Sequence, residues 1–458
     1  MFCDRYNPAL ADAAETVTDV LARRSAAGLF ALLALGVAAA AGQLPIFGAV
    51  FPPQDPHEVA LGQLLFYDPI LSGNGEVACA TCHHPAFGTG DGVSLGIGDG
   101  GVGIGPARRA DPSNPPEQRI PRNAPGLLNL GAAEFTAMFH DGRLEADPSR
   151  ASGLRTPLED AMTEGFSGVL SAQSMFPVLS ADEMAGHYAE NPVAQSVRQG
   201  FLSLPGGAWD LLSERVAALP VYRDGFEALA PGEPVTFTAI SDALAAFIAE
   251  EWRADDSPFD RHLRGTAPLT GAAARGMELF YGKAGCDSCH SGQFQTDHGF
   301  HSIAMPQIGP GKAERFESHQ RDIGRMRVTG RAVDAYAFRT PSLRHVTRTA
   351  PYGHAGAYAT LEAIIRHHLD PVASLLAYDR TQAILPDLDV PALDFATLDA
   401  PAEIDAIASA NALSPRILSD AEIADVIAFL GTLTDPGTEI GRLGIPAVVP
   451  SGLPVPMP

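Results

Sequence analysis

Cys79-Ala80-Thr81-Cys82-His83-His84-Pro85 and Cys286-Asp287-Ser288-Cys289-His290 decide the reading of this chain. Four of the five cysteines fall into two Cys-x-x-Cys-His runs, leaving only Cys3 over. A disulfide framework has no reason to set each pair two residues apart with histidine next. Zinc can use such pairs, but a four-thiolate site gives no role to a histidine that follows twice. Covalent haem explains all three positions. Each thiol adds across a vinyl group, and the adjacent imidazole lies under the iron. The sequence therefore predicts two c-type haems, on Cys79, Cys82 and His83 and on Cys286, Cys289 and His290.

Working outward, apolar helical patterns lead into both runs, Leu61–Phe66 before the first and Met277–Phe280 before the second. This echo predicts a mainly α fold of two tandem c-type cytochrome domains with long loops, one haem each. The boundaries read as 1–44 export signal or anchor, 45–264 N-terminal domain, 265–436 C-terminal domain and 437–458 Pro-rich tail. Helical periodicity predicts further helices at 180–190, 208–218, 238–252, 272–281, 360–369 and 419–433. The last two open on a hydroxyl residue in capping position. Gly88–Gly105 is too dense in glycine for a regular element. Asp255–Thr266 reads as a polar join between the halves, and the chain from Gly441 as an extended strap or disorder.

Arg23 and Arg24 precede an apolar run, Ala26–Ala41, that ends in small residues. That is an export signal, and covalent haem attachment fits a periplasmic destination. The run is short for a membrane span, which needs about 20 residues; an uncleaved anchor is the alternative. With 46% apolar residues each half can bury its own core. A net charge of −23 argues against nucleic acid as a partner and suits basic electron donors.

Seven stretches together resemble the diheme bacterial cytochrome c peroxidases, which include the MauG-like enzymes. They are Leu61–Ser72 (LGQLLFYDPILS), Cys79–Pro85 (CATCHHP), Arg122–Asn129 (RNAPGLLN), Asp141–Arg143 (DGR), Ala181–Gly186 (ADEMAG), Asp322–Thr329 (DIGRMRVT) and Phe338–Gly356 (FRTPSLRHVTRTAPYGHAG). The resemblance implies a peroxidatic N-terminal haem and an electron-supplying C-terminal one. The division follows ligation, since a haem with an open face binds peroxide and one with two protein ligands exchanges electrons.

The same resemblance implies roles for single residues. The family's second ligand to the C-terminal haem, a Met or Tyr, falls seven residues after Leu361, at His368, with His367 as competitor; both could instead cap a helix end. The removable distal histidine of some members falls at Asp99, so the first haem is expected to be open. Gln173, Pro177 and Glu183 reproduce the spacing of the family's peroxide-handling residues, with Glu183 as general acid–base; Glu183 could also serve in a capping box after Ser180. Asn123, Thr349 and Pro351 fall where the family holds a calcium ion. His140 replaces a tryptophan that lies between the haems, as relay or merely as a hydrogen-bonded turn residue. Trp209 and Trp252 read as core, and His84 as a surface residue.

The implied function is reduction of hydrogen peroxide with electrons from a small cytochrome c or cupredoxin. Two alternatives stand beside it: a MauG-like oxidase that modifies residues of a partner protein, and a non-catalytic electron-transfer cytochrome.

Overall fold

Five helices organise the chain in a computed structural model that describes residues 43–158, 160–312, 319–388 and 393–458. Cys3 and the export segment lie outside the described residues. Helix α1 (Pro56–Tyr67) starts where the Asp55 carboxylate accepts from the His57 amide and Pro56 fills the first turn. It packs across α2 (Phe237–Glu251), which Thr236 caps. In the second half α3 (Gly271–Phe280) packs across α5 (Asp420–Gly431), and α4 (Leu361–Leu369) lies beside them. Ser419 and Glu422 close a capping box at the start of α5, and Thr360 caps α4.

The two helix crossings are built alike. A Cβ on Gly62 would stand 1.9 Å from the Ala243 carbonyl oxygen and 2.7 Å from Phe247 Cβ. A Cβ on Gly276 would stand 1.8 Å from the Asp425 carbonyl oxygen and 3.0 Å from Phe429 Cβ. In each half, then, a glycine on the leading helix lets backbone meet backbone, with an aromatic one turn further along the partner. Each leading helix runs on to a Cys-x-x-Cys-His segment. The echo heard in the sequence is thus a repeated packing unit.

Around Leu65, Phe66, Leu244, Phe247 and Trp252 the first half buries the larger core. Phe259, Phe280, Val426 and Phe429 centre the second. Both tryptophans are core: Trp209 stacks on Phe237 at 5.0 Å, and Trp252 is fully buried against Phe66 and Phe247. Among the described residues strand forms one three-stranded sheet and two short antiparallel pairs, one of them Phe300–His301 with Phe338–Arg339.

Four expectations need correction. Residues 180–190 do not form a helix: a single π-helical turn spans Ala181–Ala185, and the helix that follows, Pro192–Gln199, starts at the Asn191 cap. The stretch 255–266 is no solvated join. Its helix Pro258–Leu263 buries Phe259 completely, and Asp260 makes a fully buried ion pair with Arg344. His84 is buried, with Nδ1 accepting from the Ala86 amide and its ring beside Phe87. Gly88–Gly105 is not wholly irregular, since Gly101–Val102 forms a strand antiparallel to Arg109–Ala110. Of the two readings of the tail, the strap is the one seen, lying on the first half. The Leu443 and Gly444 amides bond to buried Glu251, and Ser451 Oγ donates to Asp68 at 2.5 Å.

Family motifs separated by up to 200 residues meet at the seam between the halves. Arg122 reaches Asp322 through Nε at 2.7 Å and Nη2 at 2.9 Å, and Asp141 through Nη1 at 2.8 Å. Arg325 donates to the Asp141 and Gly142 carbonyls and pairs with Glu145 at 2.7 Å. Burial alone would raise Asp141 and Asp322, but Arg122 holds both well below the usual carboxylate range.

Candidate functional site

A short helix, Cys79–Cys82, ends at His83, whose Nδ1 lies 2.9 Å from the Thr89 carbonyl. That bond fixes Nδ1 as the protonated nitrogen and leaves Nε2 as a metal ligand. Above these residues lies a cavity of about 300 Å³. Cys79, Cys82 and His83 line it together with Gln173, Pro177 and Glu183, so all three residues picked from spacing converge on one space. Phe66 of α1 and Leu244 and Ile248 of α2 supply apolar wall. Phe139 and Phe176, edge to face at 4.9 Å, close another side.

Glu183 stands on the π-helical turn, and two glycines grip that turn. The Gly73 amide donates to the Met184 carbonyl at 2.7 Å, and a Cβ on Gly73 would come within 2.0 Å of the Ala185 oxygen. From the glycine-rich loop, a Cβ on Gly98 would come within 2.2 Å of the Asp182 oxygen and 2.5 Å of the Glu183 oxygen. The glycine-rich loop, which carries the two-residue strand Gly101–Val102, thus sets the position of Glu183.

Three basic side chains share the cavity wall. Arg143 lies over the Phe139 ring at 4.6 Å with Nε 3.0 Å from Asp141. Lys312 faces the same space, and burial, with Arg143 nearby, pushes its ammonium down to about 8. Arg122 is the third. None of these had a role assigned from sequence; Arg122 and Arg143 were legible only as parts of their motifs.

His140 is also on the wall, with Nε2 3.1 Å from the Asn123 carbonyl. Burial first, then the Arg122 charge, pushes it down to about 4, so it is neutral at pH 7. Asp99 is turned away from the cavity. Its carboxylate accepts from Asn74, and its amide donates to the Asp182 carbonyl. Among the lining residues the imidazoles are His83 and His140.

The second Cys-x-x-Cys-His segment is built the same way, with His290 Nδ1 3.0 Å from the Gln295 carbonyl. Opposite it stands His368 on the last turn of α4, ring centroids 6.3 Å apart. Two imidazoles bound through Nε2 at roughly 2 Å on either side of one iron stand roughly 6 Å apart centre to centre. The spacing fits one iron between them. His368 Nδ1 bonds to the Ile364 carbonyl at 2.8 Å, again leaving Nε2. His367 has no nitrogen to offer, since Nδ1 meets Tyr358 Oη at 2.9 Å and Nε2 the Ile303 carbonyl at 2.8 Å. Burial and the neighbouring His368 push His290 down to about 4, which keeps the imidazole neutral as a ligand must be.

Asn123 Nδ2 donates to the Val93 carbonyl at 2.8 Å, which leaves Oδ1 as a ligand atom. Thr349 comes close to this segment, its Cγ2 3.4 Å from where a Cβ on Gly126 would be. An amide oxygen of this kind is a hard donor, the class calcium takes.

Comparison with known proteins agrees with this architecture. Residues 56–268 match the family of di-haem cytochrome c peroxidases. The methylamine utilization protein MauG of Methylorubrum extorquens is 34% identical over 321 residues, covering 69% of this chain and 70% of that protein. The cytochrome c551 peroxidase of Nitrosomonas europaea is 27% identical, covering 84% and 97%. Among solved structures, a MauG-like protein associated with microbial copper homeostasis superposes with a TM-score of 0.55 at 27% identity, covering 87% of this chain and 95% of that one.

Proposed function

The chain belongs to the di-haem cytochrome c peroxidase and MauG family, and on that premise we propose that it reduces hydrogen peroxide to water in the periplasm. The observation that carries this is the convergence of Gln173, Pro177 and Glu183 with His83 on one cavity. Cys79, Cys82 and His83 would hold one haem, which would supply redox chemistry toward peroxide, and Cys286, Cys289, His290 and His368 would hold a second, which would supply electrons. The two c-type domains, 45–264 and 265–436, hold one haem each, and the strap 437–458 ties the second half to the first.

The chain's own residues move the protons. The Glu183 carboxylate takes a proton from one peroxide oxygen and returns it to the other as the O–O bond breaks. Positioned transfer of this kind contributes roughly 10²–10⁴ in rate. Gln173 orients peroxide by hydrogen bonding, while Pro177, Phe139 and Phe176 keep bulk water out. With two electrons and two further protons the products are two waters. The electrons come from a small cytochrome c or cupredoxin. Asn123, Thr349 and Pro351 would hold a calcium ion through oxygen donors. The 1–44 segment directs export or anchors the chain; among the described residues no helix is long and apolar enough to cross a membrane.

Glu183→Gln tests the assignment: both haems stay bound, and kcat/KM for peroxide falls roughly 10²–10⁴-fold. Unchanged turnover would falsify it. A second reading, oxidation of residues on a partner protein, is favoured by the identity with MauG and by the cavity lined, besides His83, by a single bonded imidazole. Peroxide treatment of a periplasmic extract with the protein, followed by mass spectrometry for oxidised Trp or Tyr, separates the two: peroxide consumed without such products supports reduction to water.

A further inference from the structure

Arg339 lies on the seam, in the strand Phe338–Arg339 that pairs with Phe300–His301. Its amide donates to the His140 carbonyl at 2.7 Å and its Nε to the Phe139 carbonyl at 3.1 Å. Nη1 is closed off from solvent and has no partner. Other deeply set arginines are met differently. Arg122 and Arg344 have bidentate carboxylates, Arg325 has Glu145 and two carbonyls, and Arg108 has the carbonyls of Ile97, Gly98 and Gly103.

No carboxylate of the described residues reaches Arg339, and burial pushes it down to about 10 with nothing to offset it. A guanidinium stays charged at any working pH, and a buried charge without a counter-charge is costly. Its surroundings contain both haem sites. Phe139 and His140 line the first cavity. On the paired strand His301 bonds to Asp297 at 2.8 Å, and both bear on His290.

We propose that Arg339 binds a haem propionate and is the counter-ion that holds this carboxylate ionised at the junction. The inference rests on the reading that both haems are bound. A planar fork of donors suits a carboxylate better than any other anion those haems bring. Which haem supplies it is for the experiment to decide.

The test uses the holoprotein. A pyridine haemochrome spectrum first counts haems in wild type; two per chain secure the premise, and fewer would sink the premise rather than the clamp. Spectroelectrochemical titration then follows the low-spin and high-spin haems separately in wild type and Arg339→Gln. Removing a fixed positive charge beside a propionate lowers the potential of that haem, by about tenfold in its reduction equilibrium, roughly 59 mV for one electron. The other haem stays put, so the one that moves is the one clamped. If neither moves, or both move equally, the proposal is overturned. Arg339→Lys keeps the space filled and the charge, and gives an independent check where the Gln variant does not fold. In redox-difference infrared spectra with ¹³C-labelled propionates, one carboxylate stretch shifts relative to wild type. Unshifted bands overturn the clamp.

Discussion

His83 and His290 are held alike, each with Nδ1 on a backbone carbonyl a few residues down the chain, yet what faces them differs. Across from His290 stands a second imidazole at the spacing of a shared metal; across from His83 lies an open cavity with two carboxylates, two amides and three cations on its walls. The helix crossings beneath are near copies, down to the glycine at each point of contact. One packing unit has thus been used twice, and the chemistry differs through the segment brought over the histidine. In the second half that segment is the C-terminal turn of α4. In the first it is the π-helical turn at Glu183. A closed site suits electron transfer and an open one suits a small substrate.

The comparison breaks most severely if the wrong residue faces His290. His368→Ala is expected to abolish the low-spin electron paramagnetic resonance signal of the second haem and to drop donor-driven turnover to background. His367→Ala should keep the signal and cost stability on the order of 1–3 kcal/mol, because it strands two bonded partners. If the His367 variant loses the low-spin signal, the assignment at α4 is reversed.

The next effect is on the open site. Gly98→Ala places a methyl against the Asp182 and Glu183 carbonyls, and the turn must move. Displacement of about 1 Å at a reacting group can cost on the order of 10²-fold in rate, so kcat/KM should fall by roughly tenfold to a hundredfold with haem content unchanged. Full activity would mean that Glu183 is positioned by something other than the loop.

How much of this was readable beforehand follows from the range of each interaction. The Cys-x-x-Cys-His segments are local chemistry, and their consequences are visible in five consecutive residues. Gln173, Pro177 and Glu183 were found because their spacing is preserved, although the helix expected around Glu183 is a single turn. The grip of Gly73 and Gly98 on that turn was hidden: each is one of 46 glycines in the chain, and its meaning lies in a backbone that folds against it from elsewhere. Arg122 and Asp322 stood in quoted motifs, but their pairing spans 200 residues. The polarity of 255–266 misled, since its aspartate and arginine partner are buried together. Spacing put His368 at the family's ligand position with His367 as competitor, and the nitrogens already bonded separate the two.

A smaller effect tests the position where some family members carry a distal ligand. Burial, reinforced by Glu190, lifts Asp99 to about 6, against about 3.9 for an ordinary aspartate. The folded state therefore holds this proton more tightly than the unfolded one. Its contribution to stability is complete below about pH 4 and is lost as pH rises through about 6. Asp99→Asn should flatten that slope and stabilise the protein above pH 6 by on the order of 2 kcal/mol, measured by denaturant titration across pH. The spin state of the first haem should not change, because Asp99 is turned away from the cavity toward Asn74. A change of spin state would put Asp99 within reach of the first haem and narrow the difference between the two sites.

The smallest expected effect concerns His140, which sits on the cavity wall and yet spends its Nε2 on the Asn123 carbonyl. If that bond is its whole purpose, His140→Phe keeps the ring and loses the donor. The cost is then about 1–3 kcal/mol for a buried carbonyl left without a partner, and peroxide turnover stays close to wild type. The contrast is with Glu183→Gln, which should cost rate and spare stability. Should His140→Phe instead slow the arrival of electrons at the first haem, followed by stopped-flow absorbance, with stability little changed, then the histidine lies on the path between the haems. The buried imidazole is neutral at pH 7, held near 4 by burial and by Arg122, and its one N–H is already engaged with the Asn123 carbonyl. The structural reading therefore requires the stability loss and the kinetic silence together.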